Sequence, residues 1–250
     1  MFMIENINSA LDSLGEILSK EQKKHFDKVT SDLIIVQNRL YQQLESLSWL
    51  QRRLSIKGSL PPLRGWAMSP DILLRLHTHI MQIQPKLVVE LGCGASTVVI
   101  ADALRQNGCG KLISLEHLQD YANSTLSILE GEGLSPWVTI RVGQLETWKG
   151  EHFNTDKDDS SCYWYSPEIT EHISEIDLLV VDGPPAATCQ YARYPALPAL
   201  SDLLSPDAEI WVDDTIRQEE QDICKQWSER FDFILEFYAL EKGLGILRRH

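Results

Sequence analysis

The chain has 250 residues, of which 43% are hydrophobic and 24% are charged, a composition typical of a globular protein. Its formal net charge of −13 argues against a nucleic-acid partner, because contacts to phosphates depend on clustered Lys and Arg. No apolar run reaches the roughly 18 to 20 residues that a membrane helix needs, and the N-terminus lacks a signal-peptide pattern. The five cysteines show no Cys-x-x-Cys spacing, so we expect reduced thiols and a cytoplasmic protein.

Residues 1–58 are predicted to form a helical extension, because two apolar series repeat every seven residues and are offset by three. The first series is Phe26, Leu33, Leu40, Leu47 and Leu54, and the second is Val29, Val36, Gln43 and Leu50. Together they make a coiled-coil seam over about four heptads, through which copies of the chain would associate. An amphipathic helix that packs on the rest of the protein fits the same pattern. An earlier apolar series, Ile4 to Leu18, is one residue out of phase and predicts a skip or break near residues 21–25.

The region from 59 to 250 is predicted to be a second domain, since Gly58, Pro61 and Pro62 end the helical pattern. Ser69 and Pro70 are suited to begin its first helix. Short apolar strands are predicted at 87–91, 111–115, 137–142, 177–181, 209–212, 231–237 and 245–248. The first five are separated by stretches long enough for crossover helices, and the last two fit an antiparallel hairpin. The predicted fold is a Rossmann-like, mainly parallel seven-stranded sheet with helices on both faces.

A glycine-containing loop follows the first predicted strand, in the order Glu90-Leu91-Gly92-Cys93-Gly94-Ala95-Ser96-Thr97. Ligands of open α/β sheets bind at the carboxyl ends of the strands, and glycine lets the backbone approach them closely. Thr97 stands where a dinucleotide fingerprint has its third glycine, which argues against a nicotinamide-binding oxidoreductase. A carboxylate just before the glycines suits a ligand that carries an ammonium and a sulfonium charge.

Further polar residues follow the next strands. Glu116, beside His117, comes after the second strand, where a carboxylate can accept both hydroxyls of a ribose, although a solvated strand-end acid is the alternative. Gln144 and Leu145 come after the third strand and could flank an adenine ring.

Acids follow the fourth and fifth predicted strands, as Asp182 and the pair Asp213-Asp214. Like charges held close together are costly, and a divalent cation such as Mg²⁺ would relieve that cost. Two alternatives stay open, namely that Asp214 caps the following helix and that Arg217 pairs with the acids.

The loop from Glu90 to Gly94, followed by these acids at these spacings, resembles class I S-adenosylmethionine-dependent methyltransferases over roughly residues 69–250. The acids after the fourth and fifth strands resemble metal-dependent O-methyltransferases of the catechol and macrocin types. The stretches 181–185 and 193–197 resemble bacterial methyltransferases of glycan assembly. Pro184 stands where macrocin-type enzymes tend to carry a further acid, which leaves the general base open.

The resemblance implies a role for each matching residue. Glu90, Gly92 and Gly94 would hold the methionine part of the cofactor, and Glu116 the ribose. The full set expected to bind S-adenosylmethionine is Glu90, Gly92, Cys93, Gly94, Ser96, Thr97, Glu116, His117, Gln144, Leu145 and Asp182.

The expected activity is O-methylation of a small-molecule, sugar or glycan hydroxyl, with Mg²⁺ at Asp182, Asp213 and Asp214. Asp182, Asp213 and Arg193 are the expected catalytic residues. Tyr191, Arg193 and an inserted loop at residues 151–171, which contains Tyr163-Trp164-Tyr165, are expected to line the acceptor site. The alternative is a cofactor-binding coiled-coil scaffold of a biosynthetic complex with little turnover of its own.

Overall fold

The structure is a computed structural model that describes residues 2–153 and 162–249, with side chains from residue 18 onward. The chain divides into two compact units, Met1–Glu45 and Ser46–His250. Helix α1 (Phe2–Arg53) is continuous through residues 21–25, so the change of apolar phase there does not interrupt the helix. The series from Ile4 to Leu14 lies outside the described side chains. The domain boundary after residue 58 stays a prediction.

The second unit alternates strands and helices in the order that the sequence predicts. Its helices are α2 (Pro70–Ile83), α3 (Ala95–Asn107), α4 (Gln119–Gly131), α5 (Ala196–Leu200) and α6 (Gln218–Phe231). Its strands are β1 (Leu87–Leu91), β2 (Lys111–Glu116), β3 (Val138–Val142), β4 (Leu145–Thr147), β5 (Tyr163–Tyr165), β6 (Ile176–Val181), β7 (Leu204–Asp213), β8 (Phe233–Tyr238) and β9 (Leu244–Arg249). Among the described helices, none is long and apolar enough to cross a membrane.

Within the described residues, the main sheet has seven strands in the order β3-β2-β1-β6-β7-β9-β8. In this sheet the neighbouring pairs β3-β2, β2-β1, β1-β6 and β6-β7 are parallel, and β9 runs antiparallel to both β7 and β8. This confirms the mainly parallel sheet and the antiparallel hairpin at one edge. From β1 the sheet extends through β2 to β3, and the chain then returns to the other side of β1 to form β6. The strand order therefore reverses between β1 and β6, which is where open α/β sheets bind their ligands.

Apolar strands at the centre of the sheet explain its burial by helices on both faces. Residues 178–181 of β6 are all buried, as expected for a strand covered on both sides. On one face Leu179 packs in a cluster with Trp227 of α6. On the other face Leu178 packs in a cluster with Ile72 of α2 and Val99 of α3.

The C-terminal end of α1 belongs to this second cluster. Leu50 is fully buried there, and Leu54 packs against the same cluster. The last turns of α1 therefore act as an amphipathic helix that packs on the sheet domain, one of the two alternatives that the heptad pattern left open.

Substitution of Leu50 by alanine is expected to lower the free energy of unfolding by about 2–5 kcal/mol, because it removes a fully buried side chain and leaves a cavity. Chemical denaturation measures this change. Trp49→Ala serves as the control, since Trp49 is 56% exposed and its loss should cost less than about 1 kcal/mol. Equal losses from the two variants would contradict the packing of α1 on the domain.

The inserted segment differs from the expectation of a loop. Strand β5 pairs antiparallel with β4 in a small second sheet, and Pro167–Thr170 forms a 3-10 turn. Trp164 and Tyr165 are buried in the core, so their ring faces are not available to an acceptor, and only Tyr163 of the aromatic triplet is exposed. Because successive side chains of a strand point to opposite faces, the burial of both Trp164 and Tyr165 means that both faces of β5 are covered there.

Candidate active site

The predicted site residues meet at one edge of the sheet because the strands that carry them are parallel and in register. Leu91 at the end of β1 lies opposite Leu115 of β2 and Val181 of β6, and Val181 lies opposite Val212 of β7. Backbone hydrogen bonds continue past the strand ends. The Gly92 N–H donates to the Leu115 carbonyl at 2.8 Å, and the Asp182 N–H donates to the Leu91 carbonyl at 3.2 Å.

In the glycine loop after β1, the backbone conformation at Gly92 favours glycine. Gly92 has a φ of +91°, and a Cβ there would lie 3.4 Å from the carbonyl oxygen of Asp182. Gly94 begins α3, and a Cβ built on it meets no described atom within 4 Å. The loop therefore packs at Gly92 against the backbone of Asp182, which follows β6, and has open space next to Gly94. Ser96 and Thr97 are buried in the first turn of α3.

Glu90 is fully buried just before this loop. Its Oε2 accepts hydrogen bonds from the Thr97 hydroxyl at 2.6 Å and the Ser114 hydroxyl at 2.9 Å. Its Oε1 has no hydrogen-bond partner among the described residues. Burial raises the pKa of Glu90 to about 7, against the lowering effect of its hydroxyl donors. A buried acid with one free oxygen is suited to receive a cationic group.

Glu116 at the end of β2 is buried rather than solvated, which removes the alternative of a strand-end acid in water. It accepts hydrogen bonds from the backbone N–H groups of Cys93, His117 and Leu118 at 3.1, 2.7 and 2.8 Å. Nδ1 of His117 lies 2.9 Å from Glu116 Oε1. Burial acts to raise the pKa of Glu116, but the His117 ring and these backbone donors together lower it. Glu116 is therefore a carboxylate at neutral pH that also links the glycine loop to β2.

The residues after β3 lie beside Glu116. The Gly143 N–H donates to the Glu116 carbonyl at 3.0 Å, which fixes this turn at the same edge of the sheet. The side chain of Gln144 is exposed, whereas Leu145 is partly buried as the first residue of β4. Burial raises the pKa of the nearby Cys93 thiol to about 12, so Cys93 is neutral.

The three aspartates after β6 and β7 form a cluster. One carboxylate oxygen from each of Asp182, Asp213 and Asp214 lies within 4.8 Å of the others. Asp214 has a φ of +61° and offers no side-chain cap to α6, whose N-cap is Arg217, so the capping alternative is wrong.

Arg193 lies within this cluster, where it is only 3% exposed. Its Nη2 donates to Asp182 Oδ1 at 3.1 Å and to Asp214 Oδ2 at 2.8 Å, and its Nη1 donates to the Asp213 carbonyl at 2.9 Å. That Arg193 lines the acceptor site stays a prediction, and in the structure its guanidinium contacts the acids. Its Nη1 and Nη2 hold the acids in place, whereas its Nε has no hydrogen-bond partner among the described residues.

Two further cations contact Asp214. Arg217 Nη2 lies 2.9 Å from Asp214 Oδ2, which confirms that Arg217 pairs with the acids, and Lys242 Nζ lies 3.9 Å from Oδ1. Arg217 also contacts Glu220 at 3.1 Å. Glu220 was not identified from the sequence, and its spacing of three residues from Arg217 on one helix is the signal that could have found it.

Asp213 differs from the other two acids. Both of its carboxylate oxygens are buried and have no hydrogen-bond partner within the described chain. Burial, and then the neighbouring Asp214, raise its pKa to about 6. Asp182 has a raised pKa for the same first reason, with Asp213 as the second. Three converging carboxylates, of which Asp213 has both oxygens unpartnered, are a donor set that fits a hard divalent cation such as Mg²⁺.

Tyr165 lies in the core, but its hydroxyl reaches the edge of the sheet at the end of β6. Its hydroxyl is buried and unpartnered in the part of the chain that the structure describes. A Cβ on Gly183 would lie 2.6 Å from it, so the hydroxyl lies directly beside the residue that follows Asp182. Burial raises its pKa well above the usual range, so it is a neutral phenol.

Comparisons with known proteins agree with this geometry. A family model described as a methyltransferase domain matches residues 89–215. No curated protein matches the chain significantly.

Solved structures of low sequence identity share the fold. The structure of the Podospora anserina methyltransferase PaMTH1 bound to S-adenosylhomocysteine has a TM-score of 0.56 and 14% identity over 83% of this chain and 87% of that chain. An O-methyltransferase from Bacillus cereus, also in complex with S-adenosylhomocysteine, has a TM-score of 0.54 and 15% identity over 83% and 90% of the two chains. The O-methyltransferase TomG from Streptomyces achromogenes, in complex with S-adenosylmethionine, has a TM-score of 0.53 and 17% identity over 74% and 82%.

The matched region begins within β1 and ends just after β7, so it contains the glycine loop, Glu116 and the three aspartates. The sequence motif, the strand order and the family match therefore agree. The chain belongs to the class I S-adenosylmethionine-dependent methyltransferases.

Proposed function

We propose that this methyltransferase transfers the methyl group of S-adenosylmethionine to a hydroxyl of a sugar or glycan-type acceptor. The observation that supports this most is the contact between the glycine loop and the acid cluster, where a Cβ on Gly92 would lie 3.4 Å from the Asp182 carbonyl. An acceptor hydroxyl held by the aspartates would therefore lie beside the cofactor.

Each part of the cofactor has matching residues at the sheet edge. The free oxygen of Glu90 suits the ammonium group, and the open space above Gly94 suits the methionine chain. Glu116 retains acceptor capacity for the ribose, and Gln144 and Leu145 flank the adenine. The remaining proposed contacts are with Cys93, Ser96, Thr97, His117 and Asp182.

The reaction is an in-line displacement in which the methyl carbon leaves the sulfonium sulfur and bonds to the acceptor oxygen. Because the sulfonium already activates the carbon, catalysis depends largely on positioning. The hydroxyl proton must pass to a base, and we assign this role to the carboxylate of Asp182 or Asp213.

Asp182, Asp213 and Asp214 would hold Mg²⁺ in this proposal. A bound divalent cation lowers the pKa of a hydroxyl and fixes its orientation. Arg193 carries a permanent positive charge among the same acids, so it reduces their mutual repulsion and holds two of them in place.

The acceptor class rests on the resemblance of residues 181–185 and 193–197 to methyltransferases of glycan assembly, and on one aromatic surface. Tyr191 is partly buried in the segment between Asp182 and Arg193, and its ring stacks on Phe153 at a centroid distance of 3.8 Å. Aromatic faces of this kind suit sugar rings.

Calorimetry with S-adenosylhomocysteine and with NAD tests the cofactor, and we expect binding of the first and none of the second. Transfer of labelled methyl groups to a panel of glycans, sugars and catechols tests the acceptor. Binding without transfer to any member of the panel would contradict the enzyme proposal and support the scaffold alternative.

Chelation with EDTA is expected to reduce methyl transfer at least about tenfold, with recovery on addition of Mg²⁺, because the three clustered acids would lose the proposed cation. Asp213→Asn should show the same loss while its affinity for S-adenosylhomocysteine stays within about twofold of the parent protein. Full activity in EDTA would contradict the proposed metal site and leave the proposed methyl transfer untouched.

A further inference from the structure

The middle of helix α1 carries large apolar side chains that the described structure leaves in water. Phe26, Leu33, Val36 and Leu40 are 70%, 63%, 61% and 60% exposed. All four belong to the seven-residue series of the sequence. Exposed apolar surface of this extent on a continuous helix is characteristic of an interaction site.

The same seam changes environment along the helix. Leu47 is partly buried and Leu50 is fully buried within the second unit. The apolar side chains of the seam are therefore buried within the chain at the C-terminal end of α1 and exposed from Phe26 to Leu40. A helix that exposes its apolar side chains to water gains little stability from propensity alone, since most helical stability comes from packing of the apolar face.

We propose that residues 18–47 of α1 form a parallel coiled coil with the same segment of other copies of this chain. The spacing identifies the occupant, because a repeat of seven matches another supercoiled helix and not a flat or irregular partner surface. Burial of the five exposed seam side chains in each copy (Phe26, Val29, Leu33, Val36 and Leu40) would remove on the order of 1,000 Å² from water for each pair of helices, the area that a specific interface needs.

The seam residues also indicate the number of strands. Leucine occupies the first core position of the heptad at Leu33 and Leu40, and β-branched valine occupies the second at Val29 and Val36. This order is the reverse of the one that favours two strands, and it shifts parallel coiled coils towards three or four. We therefore infer an assembly of three or four chains.

Flanking residues are compatible with parallel helices. In that arrangement the position before each leucine faces the position after the valine of the neighbouring helix. Asp32 would face Gln37, and Arg39 would face Leu44, so neither contact pairs like charges.

Sedimentation of the full chain tests the proposal. At micromolar concentration we expect a mass of three or four times the 28.5 kDa of one chain. The double variant L33E/L40E should sediment as a single chain, because each copy would place two charges in the seam. The matched control I34E/Y41E carries the same charges one residue further along at exposed apolar positions, and should remain assembled.

A conservative exchange tests the strand number. The variant V29L/L33I/V36L/L40I keeps the seam apolar but reverses the two core positions, and should sediment as two chains. Under mild oxidation, Val36→Cys should give covalently linked pairs of chains that Ile35→Cys does not, because only the core position faces its own copy in a parallel coil.

Binding of S-adenosylhomocysteine should be unchanged in all of these variants, which shows that the sheet domain remains folded. A wild-type chain that sediments as a monomer, or a control that dissociates as fully as L33E/L40E, would overturn the proposal. A wild-type dimer would overturn the inferred strand number.

Discussion

Replacement of Glu90 by glutamine is expected to weaken binding of S-adenosylhomocysteine by about 10- to 100-fold, because the ligand's ammonium group loses a charged partner. Glu90 is fully buried, with Oε1 unpartnered among the described residues. The geometry of the loop should survive, since the glutamine oxygen can still accept the hydrogen bonds of Thr97 and Ser114. Isothermal calorimetry measures the loss directly.

The pH dependence gives a second readout. Folded Glu90 has a pKa of about 7, above that of the unfolded chain, so the folded protein retains the proton to a higher pH. Glu90 therefore stabilises the folded state at low pH. Its contribution to the free energy of unfolding, about 3 kcal/mol, is lost as the pH rises from about 4.5 to 7. Glu90→Gln should remove this slope from the free energy of unfolding.

Ligand binding should favour the ionised form of Glu90, whereas folding favours the protonated form, because the ammonium group of the ligand interacts with the carboxylate. We expect the affinity of the parent protein for S-adenosylhomocysteine to fall as the pH is lowered from 8 to 6, and that of Glu90→Gln to change much less. The control is Glu209→Gln, an acid on β7 that contacts His79 and Arg248, and it should bind like the parent protein. Parent-like affinity in Glu90→Gln would contradict the assignment of Glu90.

Substitution of Arg193 by methionine is expected to destabilise the protein by about 3–5 kcal/mol, a shift of roughly 10 °C in the melting temperature. The guanidinium is buried and bonded to Asp182 and Asp214, so its removal takes away the most buried positive charge among these acids. Arg193→Lys keeps the charge but loses the second donor nitrogen, so its stability should lie between those of the parent protein and Arg193→Met. Thermal and denaturant unfolding measure the series.

Arg217→Met is the matched control, because Arg217 contacts the same Asp214 but its side chain is 42% exposed. Its loss should cost less than about 1 kcal/mol. Mg²⁺ should raise the melting temperature of Arg193→Met more than that of the parent protein, since the ion would replace a missing positive charge. Equal stability of the two methionine variants would contradict the positioning role of Arg193.

Local pattern was sufficient for most of the sheet. Strand β1 has the bounds that the sequence predicts, and the acids after β6 and β7 follow directly from their apolar strands. Such runs are informative because a strand buried on both faces must be apolar throughout. The small β4-β5 sheet was missed, since two strands of three residues carry too little periodicity to be distinguished from a loop.

The side chains around the acids show the limit of that reasoning. Arg193 follows Asp182 by eleven residues, and its sequence position is equally compatible with an exposed and a buried guanidinium. Tyr165 stands in an acidic, polar segment that is typical of a loop, yet its hydroxyl lies beside Gly183. Partners distant in sequence decide both placements.

The sequence by itself determined the positions of the main strands along the chain, the loop from Glu90 to Gly94 and the heptad seam of α1. Each of these depends on neighbouring residues or on a short repeating period. Only the tertiary structure decided which charges meet. It placed Arg193 among three aspartates, buried Glu90 and Glu116, and divided the α1 seam between a buried end at Leu50 and an exposed middle. Burial and ion pairing arise when distant segments pack together, and no local pattern encodes them.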